Sequence, residues 1–545
     1  MVKREIISIH VGQGGIQTAN SLWELYCLEH AIDPDGYMVE SEQDEDSSYE
    51  TFFEKTNKSR FVPRAIFFDT ENILIDEIKS GAYGQLYHPC QLIKGSEDAA
   101  NNFARGSFTV CKLHMNNLIE RIRKAVENCE FSEGFMVTHS LGGGTGSGFT
   151  SILMHTLQAE YAKYNRVQVP IFPGQVMSTA VVEPYNTLLH IHSTIENVDL
   201  SLLFGNEALY ELCSNLLYIE SSNYSNINRI ISLIISCVTA PLRFKGQLNS
   251  DLGELQTNLV PYPRIHYPLL RYSPILHYQK TKHLKPSIAA ITKDVFSKKY
   301  QTIKTDSNNG RYIAVVLNYR GRVSQVEVNN TIQALKIKRA IDFVDWCPTG
   351  FKIGLNSSIQ TIVPESEIAP FDYSVSMIAN TTTIKDAWLR LSRKYMSLYQ
   401  KKAFVHWYID EGMEEFEFDD AYENVLMLIE DYNECGLTAA EIDHLFGPNR
   451  SGMKAPDTVQ SDEFSKPSTV VDKSSRLLTR RHSNRKSIPS PYKKGAHIRM
   501  KQKLAKSQGT SPNRIEKKML QHMSPQQLAN TAILRASSSL TSDKK

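Results

Sequence analysis

The sequence predicts an α/β body built on a parallel sheet, with a second, smaller α+β part, a C-terminal helical hairpin and a long disordered tail. Three observations carry that reading. Short apolar strands alternate with amphipathic helical stretches through residues 1–445, the pattern of strands joined by helical crossovers. A glycine-rich stretch, HSLGGGTGSGF at His139–Phe149, falls where a strand ends and a helix begins. Charge divides the chain, because residues 446–545 hold 21 basic and 6 acidic side chains against 40 and 53 before them.

The elements follow in order. EIISIHVG at the start alternates apolar and polar residues like a strand, and a glycine turn leads into the helix IQTANSLWELYCLEH. RAIFFDTE and GFMVTHS read as further strands, and Phe149, Leu153, Met154, Leu157 and Tyr161 fall on one face of the helix after the glycine stretch. Trp388, Leu391, Tyr395 and Leu398 recur at helical spacing in Asp386–Gln400, as do Tyr422, Val425, Leu426 and Ile429 in Phe418–Asn433. These are the two helices of the hairpin. The tail is rich in Ser, Lys, Arg, Pro and Gln, and has too little apolar surface to offset its ordering entropy. Within it Asn513–Arg535 is a candidate partner-bound helix, interrupted by Pro525.

Composition bounds the class. A hydrophobic share of 41% supports real cores, and the apolar run Ile230–Val238 is far shorter than the roughly 20 residues of a membrane span. The start MVKREIISIHVGQGG has no secretory-signal apolar region. Cysteines 27, 90, 111, 129, 213, 237, 347 and 435 are scattered without a C-x-x-C pair, which points to a reducing cytoplasm and to neither zinc nor disulfides.

The glycine stretch contains no lysine or arginine. It lacks the G-K-[ST] of a P-loop and fits no register of G-x-G-x-x-G. A helix N-terminus nonetheless presents free N–H groups and partial positive charge, so backbone amides can hold an anion there. On the glycines alone, a flexible turn fits as well as an anion site.

Other segments separate the two. GGGTGSG at Gly142–Gly148 stands with HVGQGG, GSEDAANNFARG, STAVVEPYN, GQLNSDLGELQTNLVPYPRIHYP, FVDWCPTGFKIG and FVHWYIDEGMEEFEF. Together they resemble the tubulins over nearly all of residues 1–445. Glu254 in NSDLGELQTNL, where beta chains carry Lys, and the segment TIVPESEIAPFD resemble the alpha chains.

The resemblance implies four parts: a GTP-binding domain at 1–206, an intermediate domain at 207–385, a helical region at 386–445 and a basic tail at 446–545. It implies GTP on the Gly142–Gly148 loop, with Gly143, Gly144, Ser140 and Thr145 around the phosphates. Gln13 and Asn101 donate to phosphate oxygens. Mg2+ supplies the full positive charge, with Glu71 in its shell through water and Asp69 and Asp98 nearby. Thr179 and Glu183 line the phosphate and ribose side, Asn206 and Asn228 read guanine, and Tyr224 stacks on it. Glu254 reaches the nucleotide of the next subunit and polarises the attacking water, so hydrolysis is completed in trans.

The implied partners are a beta tubulin, further dimers in a microtubule, and associated proteins or motors on an acidic face bearing Glu411, Glu414, Glu415, Glu417, Asp419, Asp420 and Glu423. The implied place is the cytoplasm and its cytoskeleton, with a specialised array such as cilia or spindle. Several features depart from the alpha pattern: VESEQDEDSS lacks the lysine of that loop, Lys280, Lys282 and Lys285 crowd the lateral-contact loop, and the acidic tail is replaced by a basic one. They leave an alternative, a non-polymerising regulatory or capping module that binds tubulin through the tail. Nucleic acid is a poor partner, since the tail has few aromatic side chains for base stacking, Tyr492 among them.

Overall fold

Alternation in Glu5–Val11 decides the architecture. Ile7, Ile9 and Val11 turn to one face and Ile6 and His10 to the other, and all are buried, so the strand needs cover on both sides. The computed structural model describes residues 4–39, 47–174, 178–219, 221–244, 246–248, 251–280, 286–306, 310–337, 341–364, 366–438 and 441. The tail with its candidate helix, most of the VESEQDEDSS loop, Lys282, Lys285 and the Lys280 side chain lie outside the described residues.

The first part contains β1 (Glu5–Val11), α1 (Gly12–Glu29), the hairpin β2 (Phe53–Lys55) and β3 (Phe61–Pro63), β4 (Ala65–Asp69), α2 (Asn72–Ser80) and β5 (Leu92–Lys94). It continues through α3 (Cys111–Glu127), β6 (Ser132–Ser140), α4 (Thr150–Glu160), β7 (Asn165–Phe172), α5 (Glu183–Thr194), β8 (Leu200–Ser201), β9 (Phe204–Gly205), α6 (Asn206–Leu216) and α7 (Tyr224–Arg243). The main sheet runs β5-β4-β1-β6-β7-β8, with β9 also on β7, and all its pairings are parallel. Apolar residues of α1, α2, α6 and α7 cover one face and those of α3 and α4 the other.

Two local readings need correction. The glycines of HVGQGG do not form a turn before the helix; α1 begins at Gly12 itself, whose φ of +69° makes the strand-to-helix corner. The stretch Thr145–Phe149 is a wide i→i+5 turn that feeds α4, a geometry common at functional sites.

The second part contains β10 (Gly246–Leu248), α8 (Leu252–Leu259), β11 (Leu269–Ser273), α9 (Ile288–Asp294), β12 (Tyr312–Gly321), α10 (Gln325–Ile337), β13 (Phe351–Asn356) and β14 (Tyr373–Thr381). Its sheet runs β10-β13-β12-β14-β11 and is mixed, with β12 and β13 parallel and the other pairs antiparallel. α11 (Lys385–Tyr399), α12 (Val405–Asp410) and α13 (Phe416–Cys435) follow. The sequence pattern anticipates α11 and α13; α12 has only six residues, entered through Phe404 at φ 63°, too short for periodicity to reveal.

α7 lies between the layers. At 20 residues it is long and apolar enough to cross a membrane, but it is a core helix, with Ile227, Ile230, Ile231 and Ile234 packed among residues of both parts. Each such burial contributes about 1.5–3 kcal/mol. Its last turn carries Arg243, which joins a buried charge cluster with Glu29 of α1 and Arg320 of β12.

Candidate nucleotide site

The carboxyl ends of β1, β4, β6, β7 and β9 open on one edge of the main sheet, the usual place for a ligand in such folds. The sequence-predicted residues sort along that edge in strand order. Asp69, Glu71 and Asp98 lie beyond β4 and β5, the glycine loop beyond β6, and Asn206 beyond β9.

The loop is packed for close approach. A Cβ on Gly146 would stand 2.5 Å from the Ser140 carbonyl oxygen, and one on Gly144 would stand 2.7 Å from the Asn102 amide. At Gly143 an added Cβ would meet only the Ser140 hydroxyl at 3.4 Å and Asn101 Oδ1 at 3.9 Å, so this residue borders open space. Among the described residues, the N–H groups of Gly142 and Gly143 find no backbone acceptor. Two free amides beside a helix N-terminus suit phosphate oxygens.

Hydrogen bonds tie the loop to its neighbours. The Thr145 and Thr70 hydroxyls are 2.9 Å apart. The fully buried Asn186 donates to the carbonyls of Asn101 and Gly142, each at 2.7 Å, and accepts from the Phe103 amide at 3.1 Å and the Tyr408 hydroxyl at 2.7 Å. One α5 side chain thus joins three segments. Asn101, at φ 53°, is exposed toward the site, as is Gln13 in the first turn of α1.

Beneath the loop, Gln168 Oε1 lies 3.3 Å from His139 Nε2 and 3.4 Å from His190 Nε2. His190 Nδ1 sits 2.9 Å from the Ser147 carbonyl. Burial pushes His139 down to about 4 and His190 well below its ordinary value, so both stay neutral supports for the turn.

Glu183 faces inward. Its carboxylate accepts from the Thr179 amide at 2.9 Å, the Thr179 hydroxyl at 2.7 Å, the Ala180 amide at 3.1 Å and the Ser178 hydroxyl at 2.8 Å. In this arrangement Glu183 holds the 178–180 turn, and Thr179 is already committed to it.

On the far side, Tyr224 is 49% exposed, which leaves its ring free to stack. Asn228 is buried, and the Thr18 hydroxyl donates to its Oδ1 at 3.3 Å. Asn206 is half-buried at the start of α6.

The acidic end shows what a cation would meet. Asp69 is raised to about 6, by burial above all, with the amides of Thr70 and Glu71 opposing and the charges of Glu71 and Asp98 adding to the rise. Among the described residues no three acid, His or Cys side chains are grouped to hold an ion outright. That donor set fits a magnesium ion held largely by phosphate and water, and not an all-protein cage.

Glu254 stands apart from all of these. Its helix α8 is anchored at the opposite end of β6, where the Glu133 carboxylate accepts from the Leu252 amide at 2.6 Å. At about 3.3 Å per residue, β6 places roughly 23 Å between Glu133 and Ser140.

The family model for the Tubulin/FtsZ family GTPase domain matches residues 5–214, and that for the Tubulin C-terminal domain matches 263–393. Tubulin alpha-2 chain of Caenorhabditis elegans is 50% identical over 438 residues, covering 80% of this chain and 98% of that one. The chain belongs to the tubulin family. It is an alpha-tubulin-like, GTP-binding subunit of the microtubule cytoskeleton.

As a tubulin it should lose GTP when the loop is overpacked. Gly146→Val is expected to cost about 1–3 kcal/mol, because its side chain would meet the Ser140 carbonyl. Nucleotide released on acid denaturation, counted per chain, checks it.

Proposed function

We propose that this chain pairs with a beta-type tubulin, keeps its own GTP, and uses Glu254 to hydrolyse the GTP of the adjoining beta-type subunit once they meet end to end. The observation that carries this reading is the position of Glu254, roughly 23 Å of strand away from the chain's own phosphate edge. A carboxylate so placed has no reach to its own nucleotide. At a longitudinal contact it would face the nucleotide edge of the next subunit.

In that reaction the water oxygen attacks the γ-phosphorus, and the bond to the bridging oxygen of the β-phosphate breaks. GDP departs with the electron pair, and the water proton passes to the Glu254 carboxylate. The chain's own nucleotide rests on Gly143, Gly144, Ser140 and Thr145, with Gln13 and Asn101 donating to it and Asn206, Asn228 and Tyr224 at its base. Asp98 and Thr179 border the phosphates, and Glu183 sets the Thr179 turn. Mg2+, near Glu71, supplies positive charge that the loop lacks.

Glu414, Asp419, Asp420 and Glu423 are exposed on and before α13, a surface for associated proteins or motors. The basic residues beyond Leu445 attract such acidic surfaces on other subunits, and salt screens the attraction within about 8–10 Å. Sedimentation with a co-expressed beta-type tubulin tests both parts. Polymer carrying two nucleotides per pair is expected, and residues 1–445 alone should bind more weakly with a flatter salt dependence. A chain that holds its partner yet never sediments would instead be the regulatory module.

A further inference from the structure

Glu254 lies on the first turn of α8, half-exposed, and its placement is set by several elements at once. Asp251 caps the helix by accepting from the Glu254 amide at 2.6 Å. Arg4, just before β1, pairs with Asp251 at 3.3 Å. From the second sheet, Lys352 of β13 donates through Nζ to Glu254 Oε2. Lys352 is the more sheltered partner, with 23% of its side chain exposed against 50% for Glu254.

The cation touches one carboxylate oxygen. Among the described residues Oε1 accepts no hydrogen bond, so the same contact that holds Oε2 leaves Oε1 available. A general base needs its carboxylate held at one angle, with one oxygen free for the water proton. A rigid strand bearing an ammonium group meets that need. A solvent-exposed ion pair of this kind adds little to stability, about 0–1 kcal/mol, so its effect should lie in placement.

We propose that Lys352 is a positioning residue for the trans reaction, holding Glu254 so that Oε1 meets the water on the neighbouring subunit's nucleotide. This rests on the trans reading above. Lys352 touches no nucleotide of its own chain; it acts through Glu254.

The test compares polymer assembly and GTP hydrolysis for Lys352→Met, Lys352→Arg, Glu254→Ala and the double variant Lys352→Met/Glu254→Ala, each paired with a beta-type tubulin. Lys352→Met should assemble at the wild-type critical concentration yet hydrolyse about 10-fold to 100-fold more slowly. Lys352→Arg should recover most of that loss, and the double variant should be no slower than Glu254→Ala alone. A purely structural role would shift assembly and hydrolysis together.

If Glu254→Ala is slow while Lys352→Met keeps the wild-type rate, the role of Lys352 is overturned and the trans reading stands. If Glu254→Ala itself keeps the wild-type rate, both fall. Should Lys352→Met not assemble alone, wild-type lattices doped with graded fractions of it keep the polymer intact. Hydrolysis should then fall in proportion to the variant fraction, and a constant rate overturns the proposal.

Discussion

Glu254→Ala is expected to slow GTP hydrolysis in the polymer by about 10²-fold to 10⁴-fold, the range for loss of a placed general base. Assembly should persist. The α8 cap is made by Asp251 to the backbone of Glu254, a bond that alanine retains. Leu252, Leu255 and Leu259, which bury the inner face of α8, are untouched. What disappears is the half-exposed carboxylate and its pair with Lys352. Phosphate release measured against turbidity separates the two effects. A lattice that forms on time but retains GTP on the beta-type subunit is the expected result, and equal slowing of both would mean that Glu254 serves the contact itself.

Glu29→Ala is expected to destabilise the body by about 3–5 kcal/mol, because it strands two buried guanidinium groups. The Glu29 carboxylate accepts from Arg243 Nη1 at 2.6 Å, Arg320 Nη1 at 2.9 Å, the Ser236 hydroxyl at 2.7 Å and Gln360 Nε2 at 3.1 Å. Both ion-pair contacts are sealed from water. They fasten α1 of the nucleotide part through α7 to β12 of the second sheet, so the loss should reach beyond one helix.

Burial alone would raise this carboxyl, but Arg243, Arg320 and the Ser236 hydroxyl overcome it and hold Glu29 at about 2, below its ordinary 4.5. A depressed folded value means stability that is present above about 4.5 and is lost as the pH falls toward 2. Urea unfolding midpoints at neutral and acid pH check both claims. Glu29→Ala should show a lower midpoint at pH 7 and a shallower decline with acid than the wild type.

Much of the nucleotide part was legible because it rests on local pattern. Strand alternation at Glu5–Val11 and a glycine loop between strand and helix place that loop at the carboxyl edge of the sheet, and the order of family motifs, not the glycines, points to a nucleotide. The supports were not legible. Asn186 is one of several polar residues of α5, and nothing in its neighbours announces that it bridges Asn101, Gly142 and Phe103. The same holds for Thr70, Gln168 and His190, whose partners are distant in sequence. The motif points to Glu183 as a ligand, and nothing in it announces that the same oxygens hold the 178–180 turn. Lys352 stands within the segment FVDWCPTGFKIG, but its pairing with Glu254 spans 98 positions and no spacing along the chain reports it. Spacing along the chain reports elements; it does not report which edge of a sheet an element reaches.

Glu254, on the helix anchored at the far end of β6 from the glycine loop, is placed to act on a neighbour and not on its own nucleotide. The most direct measurement loads γ-labelled GTP selectively, either on this chain or on its beta-type partner, and follows label release during assembly. Label on the partner should be released as polymer forms and should stay bound when Glu254 is replaced by alanine, while label on this chain stays bound throughout. Release of the label carried by this chain, or release from the partner that is indifferent to Glu254, would contradict it.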